Sequence, residues 1–213
     1  MATDKKEKKK LKGVKFVTPP FRLSFPHLFE PHKAPQAKDP KYSITMLFPK
    51  DSEERKLMNT KLRLAAAECW GKDKEKWPKI HWPWRDGDDK AEYKGYAGHD
   101  YASADTKADS PPGVVNRQRE DILNPRDIYA GCYARAEVTA KAIPGIGVDD
   151  NGKPKNFVKF YLSHVMFWQK GEAFGAGGSA KDAFAEIADE ADESDDSGDD
   201  NGSDGEDFDF GDL

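Results

Sequence analysis

The chain has 213 residues with 34 Lys and Arg against 39 Asp and Glu, a formal charge of -5, and its two cysteines, Cys69 and Cys132, are too few for a disulfide framework. No apolar run follows the N-terminal lysines, so neither a signal peptide nor a membrane span is expected, and the protein is expected in a reducing cytosol. The small net charge is a cancellation: residues 182–213 hold fifteen acids and no Lys or Arg, which leaves 24 acids against 34 bases, a body near +10 and a tail near -15.

Three pieces follow from that division. Residues 1–12, with six lysines between Lys5 and Lys12, read as a solvated basic terminus, a phosphate-binding or localisation patch being the alternative. Residues 13–174 have the size of one ordinary domain. Residues 175–213 read as a Gly-rich joint (Gly175 to Gly178), one or two helical turns around Phe184 and Ile187, and an acidic disordered tail.

In chain order, Val14 to Phe29 is rich in Val, Phe and Leu but interrupted by Pro19, Pro20 and Pro26, the pattern of an edge strand with bulges. Tyr42, Ile44, Met46 and Phe48 alternate with Ser43, Thr45 and Leu47, a strand that Pro49 stops. Asp51 and Glu54 stand in capping-box spacing. Met58, Leu62, Ala65, Ala66 and Cys69 then recur at helical intervals up to Gly71, with Cys69 as a core residue. From Lys72 to Gln118 the periodicity fades, and short strands joined by long loops are expected. Gly131 to Ala142 and Asn156 to Trp168 predict a long antiparallel hairpin across a polar loop.

Splitting that hairpin by the period of two gives its faces. Cys132, Ala134, Ala136, Val138 and Ala140 should point inward, as should Val158, Phe160, Leu162, Met166 and Trp168. Tyr133, Arg135, Glu137, Thr139 and Lys141 are left outside, with Phe157, Lys159, Tyr161 and Ser163. Aromatic rings beside cations suit a nucleic acid strand: bases stack on the rings with about 1–3 kcal/mol each and little sequence preference, and phosphates pair with Lys or Arg. An ordinary solvated sheet face is the bland alternative. Trp82, Trp84 and Arg85 in WPWR, and Lys94 and Tyr96 in YKGY, repeat the combination as further stacking candidates, with buried loop anchors as the alternative; Arg117 and Arg119 are candidate backbone contacts.

Enzyme signatures are weak. The five histidines form no HExxH pair, the cysteines are not spaced for zinc, and there is no phosphate loop, so no cofactor, metal or catalytic residue is expected. Asp86, Asp88 and Asp89 offer the one outline of a metal-dependent nuclease, and a turn explains them more simply.

A basic body, a terminal acidic run and the ending EDFDFGDL (Glu206 to Leu213) resemble the single-stranded-DNA-binding proteins encoded by bacteriophages, and FPHLFEP (Phe25 to Pro31) is similar to the opening of a broader family of such proteins. The resemblance implies a mainly β, OB-fold-like antiparallel five-stranded barrel with one or two helices and long loops, binding strands across its open face. The helix falls after the second strand, earlier than that arrangement places it. The resemblance also implies sequence-non-specific binding in phage replication, recombination or repair, in the host bacterial cytoplasm, and leaves a homodimer open. The resemblance makes Asp207, Phe208, Asp209, Phe210 and Asp212 the tip that docks on replication proteins such as polymerase or helicase-primase; from its opposite charge and Gly-rich joint, the tail is also expected to compete with DNA for the body. The rival from another class is an acidic-tailed protein-binding or assembly factor that never touches DNA.

Overall fold

Prolines cannot donate to a strand ladder, and at Pro19 and Pro20 the apolar opening divides into β1 (Val14–Val17) and β2 (Phe21–His32). The computed structural model describes residues 11–35, 37–148, 152 and 154–175. The basic residues 1–10 and everything after Gly175, including Asp207, Phe208, Asp209, Phe210 and Asp212, lie outside the described residues, as do the expected joint beyond Gly175 and its helical turns.

The remaining elements are β3 (Lys41–Pro49), α1 (Glu53–Trp70), β4 (Ile80–His81), β5 (Arg85–Asp86), β6 (His99–Lys107), β7 (Gly113–Val115), β8 (Tyr133–Ile143) and β9 (Asn156–Gln169), with single 3₁₀ turns between some of them. Five of the strands pair in a ring: β8 with β2, β2 with β3, β3 with β6, β6 with β9, and β9 with β8. All are antiparallel except β6 with β9, which meet in parallel over Ala104↔Phe160 and Asp105↔Tyr161 alone. The fold is thus mainly β and OB-fold-like, a ring of strands with a short closing seam and not a regular barrel. The one α-helix among the described residues lies between the second and third strands of the ring.

Three expectations change. The edge position belongs to β1, which among the described residues pairs only with β8; β2 lies between β8 and β3, and it absorbs Pro26 through a register shift between Ser24 and His27 with Phe25 at φ 45°. Ser52, not Asp51, caps α1: its hydroxyl accepts from the Arg55 N–H, and Asp51 precedes the cap at φ 60°. The weakly periodic middle contains a full nine-residue strand, β6, paired to β3 along its whole length.

The core fills the ring and the gap under the helix. Phe21, Leu23, Ile44, Met46, Phe48, Val138, Val158 and Phe160 meet Met58, Leu62, Ala65 and Ala66 of α1. Leu47, on the other side of β3, is also buried, because a second small cluster of Tyr96 and Tyr101 covers it. Met58 and Leu62, four residues apart, set the face that α1 buries, and each contributes about 1.5–3 kcal/mol by leaving water.

Candidate nucleic-acid interface

The antiparallel register of β8 and β9 turns the alternation in their sequences into a row of facing pairs. Ile143 lies opposite Phe157, Lys141 opposite Lys159, and Thr139 opposite Tyr161. These side chains point away from the core, since their neighbours Ala140, Ala142, Val158 and Phe160 are buried. Tyr161 is 36% exposed. Two like charges directly opposite each other are unfavourable, and Asp105 from β6 relieves the strain: its carboxylate lies 3.0 Å from Lys159 and 3.0 Å from Lys41. Lys159 also sits 4.7 Å above the Tyr161 ring. Together with Lys107 these residues line a cleft of about 870 Å³. Partial burial, with the Asp105 charge nearby, holds the Tyr161 hydroxyl above its usual pKa, so it is a neutral donor near pH 7.

At the other end of the row, β4 adds His81, whose ring stacks on Phe157 at a centroid distance of 5.0 Å. His81 is not among the residues that the sequence marks as candidates.

Further along the hairpin the phase changes. Leu162 pairs with Val138 but His164 pairs with Glu137, so Ser163 is an extra residue in β9, a β-bulge that exchanges the two faces beyond it. Val165 is buried in place of Met166, and Phe167 packs on the core in place of Trp168. Trp168, left unpaired by a second shift between Phe167 and Gln169, lies on the polar side, with the Arg117 guanidinium 4.4 Å and that of Arg135 5.2 Å from its ring. Sequence reasoning placed Met166 and Trp168 in the core. The signal against it was His164, a polar residue that unbroken alternation would have sent inward. Between the two halves of the face, Glu137 holds Lys15 at 2.8 Å, and His164 accepts the Gly113 N–H on Nδ1 at 3.1 Å.

Tyr133 closes the row at its far end. Arg22 approaches its ring at 5.1 Å and the Phe174 ring at 4.8 Å, and donates to the Glu172 carbonyl at 2.8 Å. Lys94 pairs with the Glu172 carboxylate at 2.8 Å, which lowers the pKa of that acid. Residues 171–174 are thereby pinned beside Tyr133, and the backbones approach so closely that a Cβ at Gly131 would lie 2.1 Å from the Glu172 carbonyl oxygen.

Two sequence candidates are packing residues. Tyr96 is 2% exposed; its hydroxyl donates to Ser24 Oγ at 3.2 Å and its ring lies against Tyr101, so no base can reach its faces. Trp84 is wedged between Phe48, Phe160 and the Arg55 guanidinium, which is 3.6 Å from its ring, and its Nε1 donates to Asn59 at 3.0 Å. Trp82 stays 38% exposed on the same loop. Arg85 is exposed on β5, opposite Tyr101, at the other end of β6 from Asp105. Arg119, also exposed, occupies a turn at φ 68°.

Asp86 and Asp88, the outline of a metal site, are both claimed by Lys50, at 2.6 Å from Asp86 and in direct contact with Asp88. Lys50 lowers both carboxyl pKa values and is itself shifted upward. No group of three or more metal-ligating side chains occurs among the described residues, and no described helix is long and apolar enough to cross a membrane.

The family described as Enterobacter phage Enc34, ssDNA-binding protein, matches residues 14–196. Protein p50 of Acyrthosiphon pisum secondary endosymbiont phage 1 is 37% identical over 169 residues, which are 75% of this chain and 85% of that protein. The single-stranded DNA-binding protein from bacteriophage Enc34, solved in complex with ssDNA, superposes with a TM-score of 0.58 at 26% identity, covering 79% of this chain and 97% of that one. The single-stranded DNA-binding protein gp2.5 of bacteriophage T7 shares the fold, with a TM-score of 0.51 at 12% identity over 82% of this chain and 94% of its own.

Proposed function

The chain belongs to the family of phage single-stranded-DNA-binding proteins described from Enterobacter phage Enc34, and on that premise we propose that it binds single-stranded DNA along the outer face of β8 and β9 without reading its sequence. The observation that carries this reading is the cross-strand row of Phe157, Lys141 with Lys159, and Tyr161, in which rings and cations alternate. Bases unstacked from a duplex settle on the rings while their phosphates meet the lysines, and Trp168 with Arg117 and Arg135 near it provides a second station. Duplex DNA keeps its base faces stacked and gains only the charge term.

Bound strands are held unpaired and shielded from nucleases, as phage replication, recombination or repair in the host bacterial cytoplasm requires. The protein does this by binding alone, without catalysis. The acidic tail has two roles in the proposal. It competes with DNA for the basic face, and its tip at Asp207, Phe208, Asp209, Phe210 and Asp212 recruits replication proteins such as polymerase or helicase-primase.

The test is a gel shift with oligo(dT) at low and high salt, comparing the wild type with Phe157→Ala/Tyr161→Ala. Wild-type binding should weaken with salt at a logarithmic slope of about -0.7 per phosphate contact, and the double variant should lose at least tenfold in affinity while keeping its melting temperature. A wild type that ignores oligo(dT) would instead support an assembly factor that works only through its tail. Removing residues 176–213 should tighten DNA binding and abolish capture of the polymerase. Unchanged or weaker DNA affinity rejects competition by the tail.

A further inference from the structure

One face of α1 carries three donors at helical spacing, Arg55, Asn59 and Arg63, and the WPWR loop lays Trp82 and Trp84 against them. The five side chains enclose a pocket of about 300 Å³ whose wall includes no carboxylate. Arg55 is fixed in it from two sides: Nε donates to Asp100 at 2.8 Å and the guanidinium carbon lies over the Trp84 ring, 3.6 Å from its centroid. That leaves the cation under-satisfied. Its Nη1 is buried without an acceptor, and burial lowers the Arg55 pKa in spite of Asp100. Asn59 spends its Oδ1 on the Trp84 N–H, which leaves its amide donors to the pocket. Arg63 is exposed and forms no ion pair among the described residues. Beside these donors Trp82 presents an indole ring, and its neighbour His81 is stacked on Phe157, so the pocket continues the row of the hairpin face.

We propose that this pocket is a phosphate subsite of the DNA path, in which Arg55, Asn59 and Arg63 hold one backbone phosphate and Trp82 stacks the adjoining base. The proposal rests on the binding of single strands along β8 and β9 and extends that path around the β4 edge onto the helix. It makes Arg55 and Arg63 binding residues, although nothing in the periodicity of α1 distinguishes them from solvated positions. A planar guanidinium already locked by an aromatic ring and one carboxylate loses little freedom on meeting a phosphate, which favours tight, oriented contact.

The experiment uses the full chain and an oligo(dT) series of increasing length, with wild type, Trp82→Ala and Arg63→Ala measured by fluorescence anisotropy at several salt concentrations. Both residues are exposed, so each variant should keep the wild-type melting temperature. Short oligomers that reach only the hairpin row should bind all three proteins alike. Beyond a threshold length the wild type should gain affinity, Trp82→Ala should fall about tenfold behind it, and Arg63→Ala should lose about 0.7 from its salt slope. Variants that match the wild type at every length overturn the subsite alone, as does a loss already complete in the shortest oligomer. A wild type that binds no oligomer overturns the hairpin reading and the subsite together.

Discussion

The hairpin and the loop between Gly71 and His99 look alike as sequence, aromatic rings spaced among lysines and arginines, yet they spend those rings differently. In the hairpin, Phe157, Tyr161 and Trp168 lie on the outer face with cations beside them. In the loop, Tyr96 is buried against Tyr101 and Leu47, and Trp84 is wedged between Phe48 and Phe160. The difference lies in what fixes the direction of each side chain. A paired strand alternates whether or not its outer residues touch anything, so rings land outside in the open. A loop has no such rule; its rings go where apolar surface must be covered, and here both the outer side of β3 and the top of the ring needed a lid.

That contrast breaks most visibly in stability. Tyr96→Ala should cost about 3 kcal/mol of folding free energy, measured by urea denaturation, while the folded fraction keeps its DNA affinity; a loss of DNA affinity without loss of stability would put Tyr96 on the interface. Tyr161→Ala should do the reverse, lowering affinity for oligo(dT) by about 1–2 kcal/mol, roughly tenfold, and changing stability by less than about 1 kcal/mol. Trp168→Ala should resemble Tyr161→Ala. If it instead unfolds the protein as Tyr96→Ala does, the ring belongs to the core after all.

Smaller effects sharpen the electrostatic side. Asp105 neutralises both Lys41 and Lys159, so Asp105→Asn should raise affinity severalfold at low salt and steepen the salt slope by about 0.7 for each lysine released; a flat slope would mean those lysines never meet phosphate. The smallest effect concerns the Lys50 clasp. Asp86 and Asp88 have folded pKa values below their ordinary ones, so their contribution is fully present above about pH 4 and fades as pH falls through the lowered values. A melting series from pH 5 to pH 2 should show a steeper acid decline for the wild type than for Lys50→Met, with DNA affinity at neutral pH the same in both.

Much of this was legible beforehand, and the exceptions share a cause. The hairpin, the helix and its buried Met58, Leu62, Ala65 and Ala66 carry strong periods, which local sequence encodes directly. β6 was not legible: HDYASADTK has only small apolar residues on its inner side, Ala102 and Ala104, enough for a strand buried by its neighbours but too little to announce one. Trp168 and the Arg55 pocket were hidden for a related reason, since each depends on a relation between segments: a bulge measured against β8 in one case, and a helix face brought against a distant loop in the other.

The extra residue at Ser163 divides β9 into two strings of opposite phase, 156–162 and 164–167, and a second shift leaves Trp168 unpaired before Gln169. Aligning relatives across that point as one uninterrupted strand will equate core positions with DNA-facing ones whenever the bulge shifts by a residue or disappears. Variation at Trp168 should therefore be compared with variation at Arg117 and Arg135, the residues it touches, and not with that at Leu162 or Phe160, whose parity it shares.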